Sequence, residues 1–358
     1  MKTQLTLAAA IAVGATGAYA GGMDRSGQSI APLFEDGSYV ELSFGNVNPT
    51  VSGVFTHPTF GDFASGDMAS TYTMFGAAYK RDLSDALSMA IIIDQPFGAD
   101  VDYGDADANY PFATASAKVS TTGVSAILRY KLNDNFAVHG GVRALRSHGE
   151  VSLPAIPSAP AYTLDTSNET DYSYLVGASY EIPDIALRAA VTYNSKTTIN
   201  FDTTESTEGS QTLEVIMPES INFDFQTGIA ADTLLMVSAR YAKWTQTVID
   251  PVGYAELVSY DDDTISYSLG LGRRFSEKLS ASISYGFEKS AGTPTGNLGP
   301  TDGYKSVSIG AKYNVSENTA ISGGLRYVWI GDATTSTIGS EFTDNNAVGF
   351  GLKLSHSF

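Results

Sequence analysis

The sequence predicts an all-β protein: a 14-stranded antiparallel transmembrane β-barrel with a short N-terminal plug. Three observations support this prediction: apolar and polar side chains alternate along most of the chain, short polar turns recur, and the composition is unusual. Charged residues make up 17% of the 358 residues, below the roughly 25% of an ordinary soluble domain, while the chain has 35 Gly and 20 Tyr. These features together are typical of bacterial outer-membrane barrels.

Residues 1–20 have the features of a secretory signal peptide. Lys2 is the positive n-region, an apolar stretch follows, and Ala18-Tyr19-Ala20 is an A-x-A cleavage site. The apolar stretch is too short for a transmembrane helix. We therefore expect a mature chain in which residues 21–37 form the short plug and residues 38–358 form the barrel.

The alternation has a period of two residues. In residues 279–287, for example, Leu, Ala, Ile, Tyr and Phe alternate with Ser and Gly. A period of two predicts β-strands that have one apolar face and one polar face. Such strands suit a barrel whose outer surface contacts lipid and whose lumen is polar.

Short polar turns and long connections alternate along the chain. Each short turn joins two runs of about ten residues, the length of a tilted membrane strand. With one further strand at about 38–47 and one at about 344–358, the total is fourteen, and both termini lie on the periplasmic side. The six short turns are Asp82–Asp85, Leu132–Asn135, Glu181–Asp184, Ala230–Asp232, Phe275–Lys278 and Val315–Asn318.

The seven long connections are predicted to be extracellular. A soluble β-sandwich is the alternative, but it should not place every short turn on one side. The long connections are residues 48–70, 96–120, 147–170, 195–220, 245–263, 289–303 and 331–343.

Charge and cysteine content limit the partners. The net charge of −18 argues against nucleic acid, which binds basic surfaces, and the absence of Cys excludes thiolate chemistry. The long connections hold 22 of the 39 acidic residues, which predicts an acidic rim that meets lipopolysaccharide through divalent cations.

Phe358 resembles the terminal aromatic residue by which the barrel assembly machinery recognises its clients. We expect a monomer in contact with outer-membrane lipid, with no cofactor and no metal.

Three arginines share the polar, lumen-facing side of their strands at similar height: Arg143, Arg240 and Arg326. One interpretation is a basic band that binds the carboxylate of a substrate. The other is internal ion pairing, because buried charges need partners. The candidate partners on the polar faces are Asp94, Asp224 and Glu288.

Three local motifs resemble the FadL-type family of outer-membrane channels for long-chain fatty acids and other hydrophobic compounds. They are residues 94–101 (Asp-Gln-Pro-Phe-Gly-Ala-Asp-Val), Pro218-Glu219-Ser220 with Tyr241-Ala242-Lys243-Trp244, and residues 326–332 (Arg-Tyr-Val-Trp-Ile-Gly-Asp). The resemblance implies passive uptake of fatty acids or other hydrophobic small molecules. The family's plug is longer and carries an Asn-Pro-Ala turn, which residues 21–37 lack.

The resemblance also implies where substrate is captured, because family members bind it in an apolar groove between the third and fourth extracellular loops. Exposed apolar clusters on loops mark binding surfaces. The alternative is that these loops pack on one another as a lid. The residues implied are Leu153, Ile156, Tyr162, Leu164, Phe201, Leu213, Ile216 and Met217.

The family releases substrate sideways at a kink in the third strand, which corresponds here to Pro96, Phe97 and Gly98. Proline removes a donor from the strand ladder and is tolerated at bulges, while glycine permits an unusual backbone. A gap there would let an apolar solute reach the lipid directly. The alternative is that the strand ends at Gln95 and a loop begins.

Two other function classes compete with hydrophobic uptake. A general diffusion porin would have an open, water-filled lumen. An outer-membrane lipid hydrolase would need a Ser and a His within hydrogen-bond reach. The four His residues, at positions 57, 139, 148 and 356, have no evident Ser and carboxylate partners in the sequence. We therefore predict a non-enzymatic protein of the Gram-negative outer membrane, without catalytic residues.

Overall fold

The structure is a computed structural model that describes residues 22–157 and 159–358. The predicted signal peptide lies outside the described residues. No helix in the described part of the chain has both the length and the apolar composition of a bilayer span. The described helices are three short 3₁₀ turns, at Ala31–Phe34, Pro183–Ile185 and Trp244–Gln246.

The strands, in chain order, are β1 (Tyr39–Thr50), β2 (Gly53–His57), β3 (Gly61–Ala64), β4 (Tyr72–Asp82), β5 (Leu87–Asp94), β6 (Gly98–Asp102), β7 (Ser116–Lys131), β8 (Phe136–Leu153), β9 (Tyr162–Thr166), β10 (Glu169–Ile182), β11 (Leu187–Asn194), β12 (Thr197–Glu205), β13 (Gly209–Met217), β14 (Ser220–Ala230), β15 (Thr233–Ala242), β16 (Thr264–Arg274), β17 (Leu279–Glu288), β18 (Tyr304–Asn314), β19 (Thr319–Ile330), β20 (Ala333–Thr334), β21 (Glu341–Phe342) and β22 (Asn346–Ser357).

Fourteen of these strands form one closed antiparallel barrel, which confirms the predicted fold class. They are β1, β4, β5, β7, β8, β10, β11, β14 to β19 and β22. The first and last strands close the barrel, with Tyr39 opposite Ser357 and Thr50 opposite Asn346. The six short turns lie where they were predicted, at residues 83–86, 132–135, 183–186, 231–232, 275–278 and 315–318.

The two faces of the barrel wall differ as the alternation predicts. Leu42, Phe75 and Leu352 point outwards and are more than half exposed, because these apolar side chains contact lipid rather than a protein core. Lys80 and Arg143 point inwards and are almost completely buried. The polar lumen therefore needs internal partners for its charges.

The other eight strands lie within the long connections, and one of them, β6, pairs with β7 as a continuation of β5. β9 pairs with β8 and β12, and β12 pairs with β13, so the third and fourth extracellular connections form one sheet. We call β9, β12, β13 and the end of β8 that pairs with β9 the loop sheet. It forms because the apolar alternation continues beyond the membrane, as in Ile199 and Phe201. A second small sheet has the order β20-β21-β2-β3.

Candidate functional site at the interrupted third strand

The third barrel strand is interrupted between β5 and β6. Both parts pair with β7, Asp94 opposite Gly123 and Gly98 opposite Ser120. Residues 95–97 therefore lie opposite only two residues of β7, 121 and 122. This extra residue in one strand defines a β-bulge. The alternative in which the strand ends at Gln95 does not describe the chain, because pairing with the same neighbour resumes at Gly98.

A hydroxyl group takes over the ladder bonds within the bulge. The amide of Phe97 donates to Thr121 Oγ1 at 3.0 Å, and that hydroxyl donates to the carbonyl oxygen of Phe97 at 2.6 Å. Pro96, with no N–H of its own, leaves no donor to satisfy at its position. The bulge is thus a defined structure and not a frayed strand end.

A gap in the ladder lies on the opposite edge of the bulge. Pairing between β4 and β5 stops at Ala77 and Ile93, and within the described residues β4 does not pair with β6. Residues 72–76 of β4 continue to pair with β1. The amide of Phe75 donates instead to Gln95 Oε1 at 3.0 Å. The predicted exit residues line this gap, while their role in exit stays a prediction.

The N-terminal segment, residues 22–38, occupies the free edge of the bulge. The amide of Arg25 donates to the carbonyl oxygen of Pro96 at 2.8 Å, and the amide of Gly98 donates to that of Met23 at 2.8 Å. A Cβ at Gly98 would lie 2.6 Å from Arg25 Cζ, so a side chain at this position would displace the Arg25 guanidinium group. Residues 23–25 thus take the bonding positions that a neighbouring strand would use.

The side chain of Arg25 lies against the gap itself. Its guanidinium carbon is 4.0 Å from the centroid of the Tyr72 ring on β4. Burial lowers the pKa of Arg25, and the charges of Tyr72 and Asp100 partly oppose that effect. A cation over an aromatic ring is a stabilising contact, and it joins the N-terminal segment to the strand on the far side of the gap.

Arg240 holds the N-terminal segment to the opposite wall. Its guanidinium pairs with Asp24 at 2.5 Å and donates to Gln28 Oε1 at 3.2 Å. It also donates to Ser220 and Asn222 on β14, at 2.8 and 2.7 Å. Internal ion pairing is therefore the observed state of Arg240, with a partner the sequence analysis did not propose. Nothing in residues 22–30 has a periodicity that would have indicated Asp24.

The other two arginines of the predicted band have different surroundings. Arg143 donates to Ser125 Oγ at 2.9 Å and to Asn194 Oδ1 at 3.1 Å, and no described carboxylate lies within ion-pair distance of it. Arg326 donates to Ser306 Oγ at 3.0 Å. The three side chains point into one lumen but share no common contact in these interactions, and their role in substrate binding stays a prediction.

The lower end of the N-terminal segment is held by an aromatic contact. Phe34 lies at the end of the first 3₁₀ turn, and the guanidinium carbons of Arg188 and Arg129 are 4.5 and 5.3 Å from its ring centroid. Arg129 also pairs with Glu181 at 2.6 Å. The segment is therefore fixed at both ends, by charge at Asp24 and by cation–π contacts at Phe34.

The predicted capture residues are brought together on the inner face of the loop sheet. Six of them are between 1 and 5% exposed: Leu153, Tyr162, Leu164, Phe201, Leu213 and Met217. All six belong to one larger apolar cluster of buried residues, which also includes Phe97 and Trp244 and which we call the loop core. Ile156 packs against this cluster, whereas Ile216 is not part of it. The loops are closed over their apolar surface in this structure, as in the lid alternative. Their role in capture stays a prediction.

Comparison with known proteins decides the family. Residues 32–358 match the family model described as outer membrane protein transport protein (OMPP1/FadL/TodX). The chain belongs to this family. It is accordingly an outer-membrane transport protein for hydrophobic compounds and not an enzyme.

Solved structures with the same fold are distant in sequence. A FadL homologue from Pseudomonas aeruginosa is 15% identical over 92% of each chain, with a TM-score of 0.75. The Pseudomonas putida toluene transporter TodX is 13% identical over 96% of each chain, with a TM-score of 0.68. The Ralstonia pickettii toluene transporter TbuX is 14% identical, covering 96% of this chain and 97% of its own, with a TM-score of 0.64. No curated protein matches the sequence.

In this FadL/TodX family member, the loop core reaches the bulge. Phe97 and Trp244 both belong to the loop core, and their rings are 6.0 Å apart in an edge-to-face arrangement. The Trp244 ring also lies 5.1 Å from that of Tyr260, and a Cβ at Gly22 would be 2.4 Å from Trp244. Apolar contact is therefore continuous from the extracellular loops to the wall gap.

A buried carboxylate joins three loops of the channel over the loop core. Glu205 Oε2 accepts from the Tyr162 hydroxyl at 2.9 Å and from the amide of Gly253 at 2.7 Å. The rings of Tyr162 and Tyr254 stack at 4.5 Å. These residues come from the third, fourth and fifth extracellular connections, so the hydrogen bonds of Glu205 join all three. We call this arrangement the latch. The sequence analysis counted it only as part of the acidic rim.

Proposed function

We propose that the protein is a passive uptake channel for long-chain fatty acids or other hydrophobic small molecules. The extracellular loops capture the solute, the N-terminal segment acts as a plug, and the solute leaves sideways through the wall gap at Pro96–Gly98. One observation carries the proposal: the gap between β4 and β6 is covered from within by residues 23–25, through two backbone hydrogen bonds.

The apolar contacts of the loops support a route from capture to exit. Phe97 lies in the bulge and is also a member of the loop core that contains Leu164 and Phe201. A hydrophobic solute that enters among these side chains can remain in apolar contact until it reaches the gap. It need not cross the charged part of the lumen around Arg240.

Exit requires movement of the N-terminal segment. Residues 23–25 are held by two backbone hydrogen bonds, the ion pair of Asp24 with Arg240, and the contact of Arg25 with Tyr72. Ser26, Gly27 and Gln28 add hydrogen bonds to Asp94 and to β14 and β15, but all of these are separate side-chain contacts and not a continuous ladder like those of the barrel wall. The segment is therefore the part of the channel that can yield without opening the barrel.

Two sets of observations bear on whether the solute is an uncharged hydrocarbon or a fatty acid. The acidic loops do not attract a carboxylate, and two of the structurally similar proteins are named toluene transporters, which favours an uncharged hydrocarbon. Arg143 hydrogen-bonds only to neutral side chains and feels the charge of Asp94 without forming an ion pair, so it is our candidate for the group that receives a carboxylate. Both classes therefore belong in the test.

The test is uptake by a Gram-negative host that lacks its own channel for hydrophobic solutes. We expect the full chain to raise uptake of radiolabelled hexadecanoic acid, of an alkylbenzene, or of both, and to leave entry of a small sugar unchanged. Rapid entry of the sugar would favour the porin alternative. An unchanged rate for both hydrophobic solutes, with the protein present in the outer membrane, would contradict the proposal.

A further inference from the structure

The lipid-facing surface beside the gap has a cleft of about 610 Å³. One row of outward-facing residues runs across five neighbouring strands in register: Ile321, Leu354, Leu42, Ala77 and Ile93. Four of these side chains are large, and Ala77 is small. The cleft is therefore deepest at Ala77, because the side chain there is the smallest in the row. Ala77 lies at the position where the pairing between β4 and β5 stops.

Aromatic side chains form the upper wall of the cleft. The next row consists of Leu352, Phe44 and Phe75, and the rings of Phe44 and Phe75 are 5.3 Å apart in an edge arrangement. Phe75 is 62% exposed, and its amide bonds to the Gln95 side chain instead of a strand partner. The cleft thus begins at the edge of the wall gap itself.

The lining of the cleft is suited to hydrocarbon. Apart from Ser43 and Lys353, it consists of aliphatic and aromatic residues and Gly76. Lys353 pairs with Glu41 at 3.1 Å, and both are largely shielded, so the ammonium group is neutralised on the lumen side. A charged group would find no partner in the cleft, whereas a hydrocarbon would be in apolar contact on every wall.

The remainder of the wall provides a comparison. On β16 to β19, the row of Leu271, Ile283, Ile309 and Leu325 has a large side chain at every position. The next row towards the short turns has small residues, Ala281, Ala311 and Gly323, but the ladders there are continuous, so no wall gap opens beside it. The low point at Ala77 and the interrupted ladder coincide on one side of the barrel, between β1 and β5.

We propose that this cleft is a second binding site, which takes the hydrocarbon portion of the transported molecule as it passes from the gap into the membrane. The site rests on the proposed function, since it requires lateral exit. Its volume lies within the roughly 300–1,000 Å³ of small-molecule sites. Its continuity with the gap at Phe75 and Gly76 identifies the solute, rather than a random lipid chain, as its occupant.

Photo-crosslinking tests the site directly. The purified protein in phospholipid vesicles is irradiated with hexadecanoic acid that carries a terminal diazirine, and the labelled residues are identified by mass spectrometry. We expect label concentrated on Leu42, Phe75 and Leu354, and loss of most of it in Ala77→Trp, which fills the cleft. The matched control is Ala311→Trp, an outward-facing alanine on β18. Label spread evenly over the lipid-facing surface would overturn the proposal.

Uptake by cells that express the same variants separates this inference from the function on which it rests. We expect Ala77→Trp to slow uptake several-fold and Ala311→Trp to leave it unchanged. Normal uptake in Ala77→Trp would overturn the exit site while the transport function stands. Absence of uptake by the unchanged protein would overturn the function itself, whatever the labelling pattern.

Discussion

The amide of Gly98 donates a 2.8 Å hydrogen bond to the carbonyl oxygen of Met23, and this bond joins the N-terminal segment to the broken strand of the barrel wall. It lies on the edge that β4 leaves free. The same position cannot have a larger side chain without displacing Arg25. The wall gap and the N-terminal segment are therefore one structural unit.

A disulfide across this unit should stop transport. Asp24 and Phe97 are directly opposite each other in an antiparallel bridge, and the chain has no native Cys. The bonds on either side of the pair make it a non-hydrogen-bonded pair, whose Cα separation of about 4.5 Å suits a disulfide. We expect the double variant Asp24→Cys and Phe97→Cys, once its disulfide has formed, to take up hydrophobic solutes no faster than cells that carry the empty vector.

Reduction provides the control for that experiment. Addition of dithiothreitol to the same cells should restore uptake, because reduction removes the covalent link while the loss of the Asp24–Arg240 ion pair and of the Phe97 ring is the same in both states. Each single cysteine variant should be insensitive to oxidant. Full uptake by the oxidised protein, with the disulfide verified by mass spectrometry, would exclude movement of residues 23–25 as a step in transport.

The buried ion pair should determine how firmly the segment is held. Arg240→Gln leaves the carboxylate of Asp24 buried without its partner, and loss of one member of a buried pair costs about 3–5 kcal/mol. We expect faster amide hydrogen exchange at Arg25 and Gly98 in this variant. Adding Asp24→Asn should restore slow exchange in part. Arg274→Gln is the control, since Arg274 pairs with Asp232 at a short turn and does not bond to the segment; equal exchange in all variants would contradict the role of the pair.

Arg143 should distinguish acids from hydrocarbons. If it receives a carboxylate, Arg143→Gln lowers uptake of hexadecanoic acid and leaves an alkylbenzene unaffected, because a carboxylate in a low-dielectric site needs a charged donor. Arg143→Lys keeps the charge and should retain more of the acid uptake. Equal losses for both solutes would mean that Arg143 only supports the lumen through Ser125 and Asn194.

The latch at Glu205 should control access to the loop core. Glu205→Ala removes the acceptor of the Tyr162 hydroxyl and of the Gly253 amide, and each buried group left unsatisfied costs about 1–3 kcal/mol. We expect faster limited proteolysis within residues 154–168. Glu214→Ala, at an exposed position of the same loop sheet, should behave like the unchanged protein. Equal cleavage rates for the two variants would show that Glu205 does not hold the loops.

The barrel could be predicted from the sequence because its rules are local. Alternation with period two and polar turns such as Phe275–Lys278 depend on neighbours in the chain, and each turn lies where it was expected. The loop sheet was missed for a different reason: β12 and β13 alternate equally well, but they were assigned to a long connection on the basis of its length. The alternation within residues 197–217 is the signal that identifies them.

The contacts of the site could not be predicted in the same way. Asp24 and Arg240 are 216 residues apart, and no spacing rule relates an irregular N-terminal segment to a strand on the far wall. Glu205 likewise reads as one acidic residue among many until the fold brings Tyr162 and Gly253 to it. Such contacts join residues that are far apart in the sequence, and they form only because closure of the barrel brings these residues together.

In the proposed exit mechanism, the contacts of Phe34 with Arg188 and Arg129 keep the displaced residues 23–25 attached to the lumen wall. When residues 23–25 leave the edge of the bulge, fewer than ten residues still connect them to that fixed point. A short flexible tether of this kind gives an effective concentration in the millimolar range at the vacated edge. Resealing would then be a first-order step, at a rate independent of the number of channels in the membrane, and it would need no energy source in the periplasm.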